Sequence, residues 1–177
     1  GMSSGKITPP SLTGGGVCTE ATAQSDLTVN NVRCRILMGD LWWNPNDNSR
    51  GIYEIPKGSD LNSIYAGSLW IGGIDNGGNI KVAAQTYRQT GNDFWPGPLD
   101  TTGSAAVDLD VCSQYDKHFR ITRKEVETFV ATGVSTPAIV SWPGNGDQSL
   151  GQAKYLAPFF DANGDGVYNP ASGDYPG

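Results

Sequence analysis

The chain has 177 residues with 12 Lys plus Arg, 18 Asp plus Glu and one His, which gives a formal net charge of −6. This acidic balance argues against non-specific binding to nucleic acid or to an anionic membrane surface, because both need a basic patch. The 24 Gly and 11 Pro residues lack the three-residue period of collagen, and no apolar run approaches the roughly 18–20 residues of a membrane span. The composition therefore predicts a loop-rich, β-rich chain without membrane insertion.

Three regions of different composition follow one another along the chain. Residues 1–16 are small and polar, and we expect them to form a flexible N-terminal arm without the basic and apolar regions of a signal peptide. Residues 17–154 are expected to form one β-rich domain. Residues 155–177 are expected to form a calcium-loop segment that leads into a downstream region of a longer chain.

The first strand pattern lies within residues 25–43, where Arg33 and Arg35 alternate with apolar neighbours. Residues 44–51 are rich in Asn, Pro and Asp and predict a loop. Residues 52–56 predict a short strand that a proline closes.

The clearest β-hairpin joins residues 63–74 to residues 80–87 across an Asp- and Gly-rich turn at 75–79. The alternative is a buried helix over 63–72, and the two Gly-Gly steps in this region weigh against it. A loop built around a Phe-Trp-Pro-Gly-Pro run is expected over residues 88–103.

One helix is predicted from its end signals. Thr122 and Glu125 have the spacing of a capping box, and Gly133 is placed to end the helix. A further strand is expected over 134–142. The predicted fold class is therefore mainly β: an antiparallel, sandwich-like domain with one short helix, followed by the calcium-loop segment.

The metal chemistry of the chain is concentrated in residues 161–174. Asp161, Asn163 and Asp165 occupy positions 1, 3 and 5 of a loop, and Gly166 at position 6 permits a sharp turn. The backbone carbonyl of Val167 at position 7 adds another oxygen, as in loops that bind Ca²⁺.

This loop departs from an EF-hand. Position 12 is Ser172 rather than Glu, and no apolar helix precedes the loop. We expect Asp174 to substitute for the missing Glu and Asn169 to contribute directly or through water. The predicted site is a single, non-helical, structural Ca²⁺ loop that resembles dockerin and thrombospondin-type repeats. The alternative is an Asx- and Gly-rich turn that binds nothing, which is also the favoured interpretation of a weaker candidate at residues 44–48.

Catalytic patterns are weak in this sequence. His118 is the only histidine, and a structural role is favoured because no G-x-S-x-G motif or activated cysteine accompanies it. Of the four Glu residues, only Glu54 lies on a predicted strand. The Glu residues are therefore a poor set from which to build the acid/base pair of a glycoside hydrolase. We predict that the chain is not an enzyme.

Two of the five tryptophans are candidates for glycan stacking. On a strand, the adjacent Trp42 and Trp43 point to opposite faces, so one of them is expected to be exposed. Trp43 and Trp95 are the candidate stacking residues. Packing of these rings onto the core or onto loops is the favoured alternative.

Three cysteines allow one disulfide and one free thiol. A bond between Cys18 and Cys112 is favoured because it would tie the N-terminal arm to the rest of the domain. The alternative is three reduced thiols in a cytosolic protein, and a Ca²⁺ loop favours the oxidising, extracellular setting instead.

Several blocks of the sequence resemble the N-terminal region of large secreted Bacteroidetes proteins that end in a type IX secretion sorting domain or a gliding-motility-associated C-terminal domain. The resemblance covers residues 17–177. The blocks that carry it are NNVR (30–33), GDLWW (39–43), YEIPKGS (53–59), YAGSLWIGGID (65–75), KVAAQTYRQTGNDFWPGPLD (81–100) and YLAPFFDANGDGVYNPASGDYP (155–176).

The resemblance implies export and a location outside the cell or on its outer surface. It also implies the Ca²⁺ loop positions Asp161, Asn163, Asp165 and Asp174, a disulfide between Cys18 and Cys112, and Cys34 as the odd thiol. The leading hypothesis is a non-catalytic structural or adhesion module whose partners are downstream domains of a longer parent chain. The alternatives are a carbohydrate-binding or glycan-processing module and a subunit of a self-assembling surface fibre, in which an exposed strand edge mediates assembly.

Overall fold

The computed structural model describes residues 18–47, 49–74, 77–85, 93–101 and 108–177. The predicted arm at 1–16, the first two residues of the predicted hairpin turn, residues 86–87 of the second hairpin strand, and residues 88–92 and 102–103 of the predicted loop lie outside these ranges. The chain divides into two compact units. The first unit contains Gly1–Gly97 and Asp108–His118, and the second contains Pro98–Val107 and Phe119–Gly177. The predicted calcium-loop segment therefore belongs to the same unit as the residues from Phe119 onward.

The first unit contains a five-stranded antiparallel sheet. Its strands are β1 (Gln24–Leu27), β2 (Arg33–Leu37), β3 (Asp40–Leu41), β4 (Tyr53–Glu54) and β5 (Gly67–Ser68). The strand order is β1-β2-β3-β5, and β4 pairs with β2 outside this path.

The pattern at residues 25–43 folds as three short strands. Asn30 (φ 57°) and Gly39 (φ 82°) take left-handed backbone conformations, which turn the chain between consecutive strands. Trp42 (φ 68°) ends the third strand in the same way. The expected placement of Trp42 and Trp43 on opposite faces of one strand is therefore wrong, because both residues follow β3.

A charged cluster joins β1 to β2. Asp26 lies opposite Arg35 in the strand register, and its carboxylate accepts from Arg35 and, at 2.9 Å, from Arg33 Nε. Burial raises the pKa of Asp26, but the hydrogen bonds and charges of Arg35 and Arg33 outweigh burial and hold this pKa below its ordinary value. The folded sheet therefore favours the ionised carboxylate.

We expect the contribution of Asp26 to stability to depend on pH. The depressed pKa makes this contribution complete above about pH 4, where the carboxyl is also ionised in the unfolded chain, and the contribution is lost as the pH falls through the folded pKa. Asp26→Asn is expected to lose about 1–3 kcal/mol of unfolding free energy at neutral pH. Urea unfolding across an acid series should show this deficit shrinking; a pH-independent deficit would contradict the assignment.

The predicted hairpin is confirmed. β6 (Trp70–Ile74) pairs antiparallel with β7 (Ile80–Ala84) in a two-stranded sheet of its own. The residues just before β6 belong to the larger sheet as β5, and Leu69 donates its N–H to the Gly39 carbonyl at 2.9 Å. This change of sheet divides the first predicted strand into two pieces.

One helix of the first unit was not predicted. α1 (Leu109–Tyr115) begins after Asp108, whose carboxylate accepts from the Val111 N–H at 2.9 Å. An Asp at the N-cap followed by apolar residues three positions apart is a helix-start signal, but a seven-residue helix shows too little periodicity to be recognised. α1 carries the buried Cys112.

In the second unit, the predicted helix is confirmed as α2 (Arg123–Thr132). Thr122 and Glu125 form the reciprocal capping box, and Gly133 ends the helix with φ 70°. The strand predicted over 134–142 is wrong, because this segment contains α3 (Pro137–Val140). Proline at the first helical position, after the capping Thr136, favours a helix start over a strand.

The core of the second unit gathers around Ile139 on α3, which is fully buried. Phe129 of α2 and Tyr168 are also buried, and the Tyr168 hydroxyl donates to the Ile139 carbonyl at 2.6 Å. Burial, followed by the charge of Asp174, raises the pKa of Tyr168 to about 12. β8 (Phe159–Phe160) and β9 (Tyr175–Pro176) form an antiparallel pair in this unit.

The mainly-β, antiparallel fold class is confirmed, and the described residues contain three α-helices where the sequence predicted one. Within the described ranges, no helix combines the length and the apolar character that crossing a membrane requires.

Candidate functional site

The loop at residues 161–174 is closed at its base by β8 and β9. Phe160 pairs with Tyr175 in the strand register, directly outside the first and last loop positions. Their rings stack with centroids 4.8 Å apart and planes inclined by 14°. The loop therefore starts and ends at one strand pair, which fixes the separation of its two ends.

The three predicted ligands at the start of the loop hold its backbone. Asp161 accepts from the N–H groups of Gly164 at 2.8 Å and Gly166 at 2.7 Å. Asn163 Oδ1 accepts from the Asp165 N–H at 3.2 Å, and Asp165 Oδ1 accepts from the Val167 N–H at 2.7 Å. Gly164 and Gly166 have φ values of 73° and 70°, so the chain curls around its own acidic side chains.

Asp174 closes the far side of the loop. Its side chain is fully buried, and its two oxygens accept from the N–H groups of Ala162 and Asn169, each at 2.8 Å. Asn169 Oδ1 accepts from the Ala171 N–H at 3.1 Å and caps the 3₁₀ turn at residues 170–172. Asp174 and Asn169, both predicted as ligands, therefore organise the loop backbone in this structure.

The oxygen atoms of the loop are ligands that suit a hard cation. Asp161, Asp165 and Asp174 give the loop three formal negative charges, and within the described part of the chain no Lys or Arg forms an ion pair with them. Carboxylate, amide and backbone oxygens are the ligands that Ca²⁺ prefers, and a carboxylate oxygen with one N–H donor keeps a second lone pair.

The side-chain oxygens of the loop do not converge on one point where an ion could bind. No group of three or more His, Cys, Asp or Glu side chains converges as a metal site among the residues described. Asn163 Nδ2 also donates to Asp165 Oδ2 at 2.8 Å. Binding of an ion therefore requires Asp161, Asn163 and Asp165 to turn from one another and from the loop amides toward a common point.

The weaker candidate at residues 44–48 forms local turns in its described part. Asn44 Oδ1 accepts from the Asn46 N–H at 3.1 Å, and Asp47 Oδ1 accepts from the Ser49 N–H at 3.0 Å. Arg50 lies 3.8 Å from the Asp47 carboxylate and balances its charge.

Cys18 and Cys112 are joined by a disulfide, the pair expected from the sequence. Their Cα atoms are 6.1 Å apart, and 94 positions separate them in the chain. Cys34 is the free thiol and lies half-buried in β2. Burial, with a further effect of the Asp26 charge, raises the pKa of the Cys34 thiol, so this sulfur is a weak nucleophile at neutral pH.

Ser25 and His118 form a contact that the sequence did not predict. His118 Nδ1 lies 2.7 Å from Ser25 Oγ, as in the first half of a nucleophile–base pair. A triad also needs an acid on the other ring nitrogen, and within the described ranges the buried His118 Nε2 has no hydrogen-bond partner. The nearby Asp116 instead accepts from the N–H groups of Thr22 and Ala23 at 2.8–3.0 Å.

Glu54 is held by the backbone as well. This buried residue accepts from the Asp60 N–H at 2.6 Å. The hydrogen bond from the Gly58 N–H, followed by that from Asp60, holds the pKa of Glu54 below its ordinary value. A carboxyl kept ionised in this way is a poor general acid.

The two predicted glycan-stacking residues are both half-buried, and their indole nitrogens face inward. The large exposed indole is instead Trp70, with 70% of its surface accessible. The prediction of Trp43 and Trp95 as candidates rested on their loop and strand neighbours, which do not specify which ring faces solvent.

A groove of about 900 Å³ lies beside the loop in the second unit. Its lining includes the apolar Phe129 and Val140, the aromatic rings of Phe160 and Tyr175, and the amide of Asn169. None of the lining side chains carries a formal charge, and Tyr175 is the one titratable side chain among them.

No family model, curated protein or solved structure matches this chain. The resemblance to secreted Bacteroidetes proteins therefore rests on the sequence blocks alone.

Proposed function

We propose that this chain is a non-catalytic structural or adhesion module of a secreted bacterial cell-surface protein, and that Ca²⁺ stabilises it. The observation that carries this proposal is the loop at 161–174. Its side chains at positions 1, 3 and 5 accept hydrogen bonds from the loop backbone. Within the described ranges, no Lys or Arg forms an ion pair with its three carboxylates.

The role of the ion in this proposal is structural. The loop joins β8 to β9, and the buried Asp174 holds both sides of the loop backbone. Asp161, Asn163, Asp165 and the Val167 carbonyl would hold Ca²⁺, which would neutralise the acidic side chains. Rigid strand ends would then transmit force or fix the direction of a neighbouring domain.

The extracellular location is supported by the disulfide. Disulfides persist in oxidising compartments and are rare in the cytosol. The first unit is stabilised by this bond between Cys18 and Cys112. Two further parts of the proposal, the location on a bacterial surface and export through the type IX route, rest on the sequence resemblance.

Calorimetric titration with Ca²⁺ tests the proposal. We expect one binding event per chain, and we expect Asp165→Ala to weaken it by at least about tenfold, or about 1.4 kcal/mol. Asp110→Ala is the matched control, because it removes one exposed carboxylate outside the loop and should leave the affinity unchanged. Absence of binding to the unchanged chain, or equal loss in both variants, would overturn the assignment.

A further inference from the structure

A small polar cavity lies in the first unit, lined by residues of β2, of the loop before β4 and of the segment after β4. Its volume is about 180 Å³. Three arginines and three asparagines contribute to its lining: Arg33, Arg35, Arg50, Asn44, Asn46 and Asn62. The volume is below the roughly 300–1,000 Å³ of sites for drug-sized ligands, so the cavity has room for one small molecule or for one residue of a larger one.

The backbone fixes the walls of this cavity. Arg33 and Arg35 are two positions apart in β2, so their side chains lie on one face of the strand. The Arg35 N–H donates to the Ile52 carbonyl at 3.0 Å, which aligns the end of the loop with β2. A Cβ atom at Gly51 would overlap the backbone of Tyr65, so the loop passes close to the next segment there. The folded sheet therefore builds the cavity.

The guanidinium groups of the cavity are held in place by acidic side chains. Asp26 accepts from Arg33 Nε at 2.9 Å and from Arg35. Asp60, which also lines the cavity, accepts from Arg50. A guanidinium group has five N–H donors, and the bonds made by the described residues leave most of these donors available to a ligand.

The charges around the cavity favour a neutral ligand. Four carboxylates form ion pairs with its three guanidinium groups: those of Asp26, Asp47, Glu54 and Asp60. These carboxylates offset the three positive charges, and the whole chain has a net charge of −6. An anionic ligand would therefore gain no net attraction from the charges of this region.

The cavity offers hydrogen-bond acceptors as well as donors. A guanidinium group only donates, the Asp60 carboxylate only accepts, and an asparagine amide does both. Among the described residues, no hydrogen bond engages the side-chain amide of Asn46. A hydroxyl group donates one hydrogen bond and accepts up to two, so a ring with several hydroxyls matches this mixture. A sulfate or phosphate group mainly accepts and would leave Asp60 without a donor from the ligand.

We propose that this cavity binds one neutral sugar residue of a glycan through hydrogen bonds to its Arg, Asn and Asp60 side chains. The inference rests on the proposed function for its adhesive role and deepens it, because it names the class of molecule that an adhesion module would hold. The cavity is lined by neither Trp43 nor Trp95, the stacking residues predicted from the sequence. Hydrogen bonds at an open site add little net affinity, so we expect a Kd of about 1 mM for a single sugar.

Saturation-transfer difference NMR of the full chain tests this inference. The probes are the methyl glycosides of glucose, galactose, mannose and N-acetylglucosamine, each titrated to about 20 mM. Methyl glucuronide and inorganic sulfate are the anionic counterparts. Arg50→Gln and Asn46→Ala alter the cavity. Arg123→Gln is the matched control, because it removes an arginine that is ion-paired with Glu127 at 2.7 Å in the second unit. Thermal melts check that the variants fold.

We expect at least one neutral glycoside to bind the unchanged chain and Arg123→Gln alike. Arg50→Gln should weaken binding at least about tenfold, and Asn46→Ala at least about threefold. Absence of binding by all four neutral glycosides would overturn the inference, as would stronger binding of glucuronide or sulfate. Equal weakening by the three variants would also contradict it.

The same titrations in Ca²⁺ and in EDTA distinguish this inference from the calcium proposal. None of the described lining residues of the cavity belongs to the loop at 161–174. We therefore expect the same affinity for the glycoside in both conditions, whether or not the loop binds Ca²⁺. Binding that disappears in EDTA would place the sugar outside this cavity and overturn the inference.

Discussion

Replacing Cys18 and Cys112 together by serine is expected to lower the unfolding free energy of the first unit by about 3–5 kcal/mol. The disulfide closes a loop of 94 positions, and a long closed loop restricts the unfolded chain strongly. Both cysteines are also nearly inaccessible, at 5% and 1% exposed, so the serine hydroxyls would be buried in an apolar setting.

Denaturant unfolding followed by tryptophan fluorescence measures this effect. Cys34→Ser is the matched control, because it removes the half-buried free thiol and should cost less than about 1 kcal/mol. A double variant as stable as the unchanged chain would show that the Cys18–Cys112 bond does not stabilise the first unit.

Asp174→Ala is expected to destabilise the second unit by about 2–4 kcal/mol in the absence of metal. The change removes a fully buried carboxylate and leaves the N–H groups of Ala162 and Asn169 without their acceptor. Asp165→Ala is the control, because Asp165 is exposed and should cost less than about 1 kcal/mol under the same conditions.

Chemical unfolding in EDTA separates this effect from any contribution of calcium. We predict that the unchanged chain is the most stable, that Asp165→Ala is less stable, and that Asp174→Ala is the least stable. If the two variants were equally stable in EDTA, Asp174 would not hold the loop closed as described.

Elements with local signals could be predicted from the sequence, and elements set by longer-range contacts could not. The ends of α2 follow from Thr122, Glu125 and Gly133, which act within one turn of the helix. The β6–β7 hairpin follows from its two apolar runs and short connection. In contrast, α3 has a local start signal at Thr136 and Pro137, but its four residues are too few to show a helical period, and burial of Ile139 accompanies the helix.

The candidate site shows the same division. The spacing of Asp161, Asn163 and Asp165 predicts a curled loop, and their side chains do hold its backbone. The sequence predicted Asp174 only as a substitute ligand. It did not predict that Asp174 is buried, because this burial depends on the pairing of β8 with β9. The Ser25–His118 contact joins residues 93 positions apart, and no local sequence pattern predicts it.

Thermal unfolding of the unchanged chain and of Asp165→Ala, each in Ca²⁺ and in EDTA, tests the central claim most directly. At a Ca²⁺ concentration about a hundredfold above Kd, binding adds about 2.7 kcal/mol, which corresponds to a rise in Tm of about 5–10 °C for a chain of this size. We predict this rise for the unchanged chain and its loss in Asp165→Ala. An unchanged Tm in Ca²⁺, or the same rise in the variant, would contradict a structural calcium loop at residues 161–174.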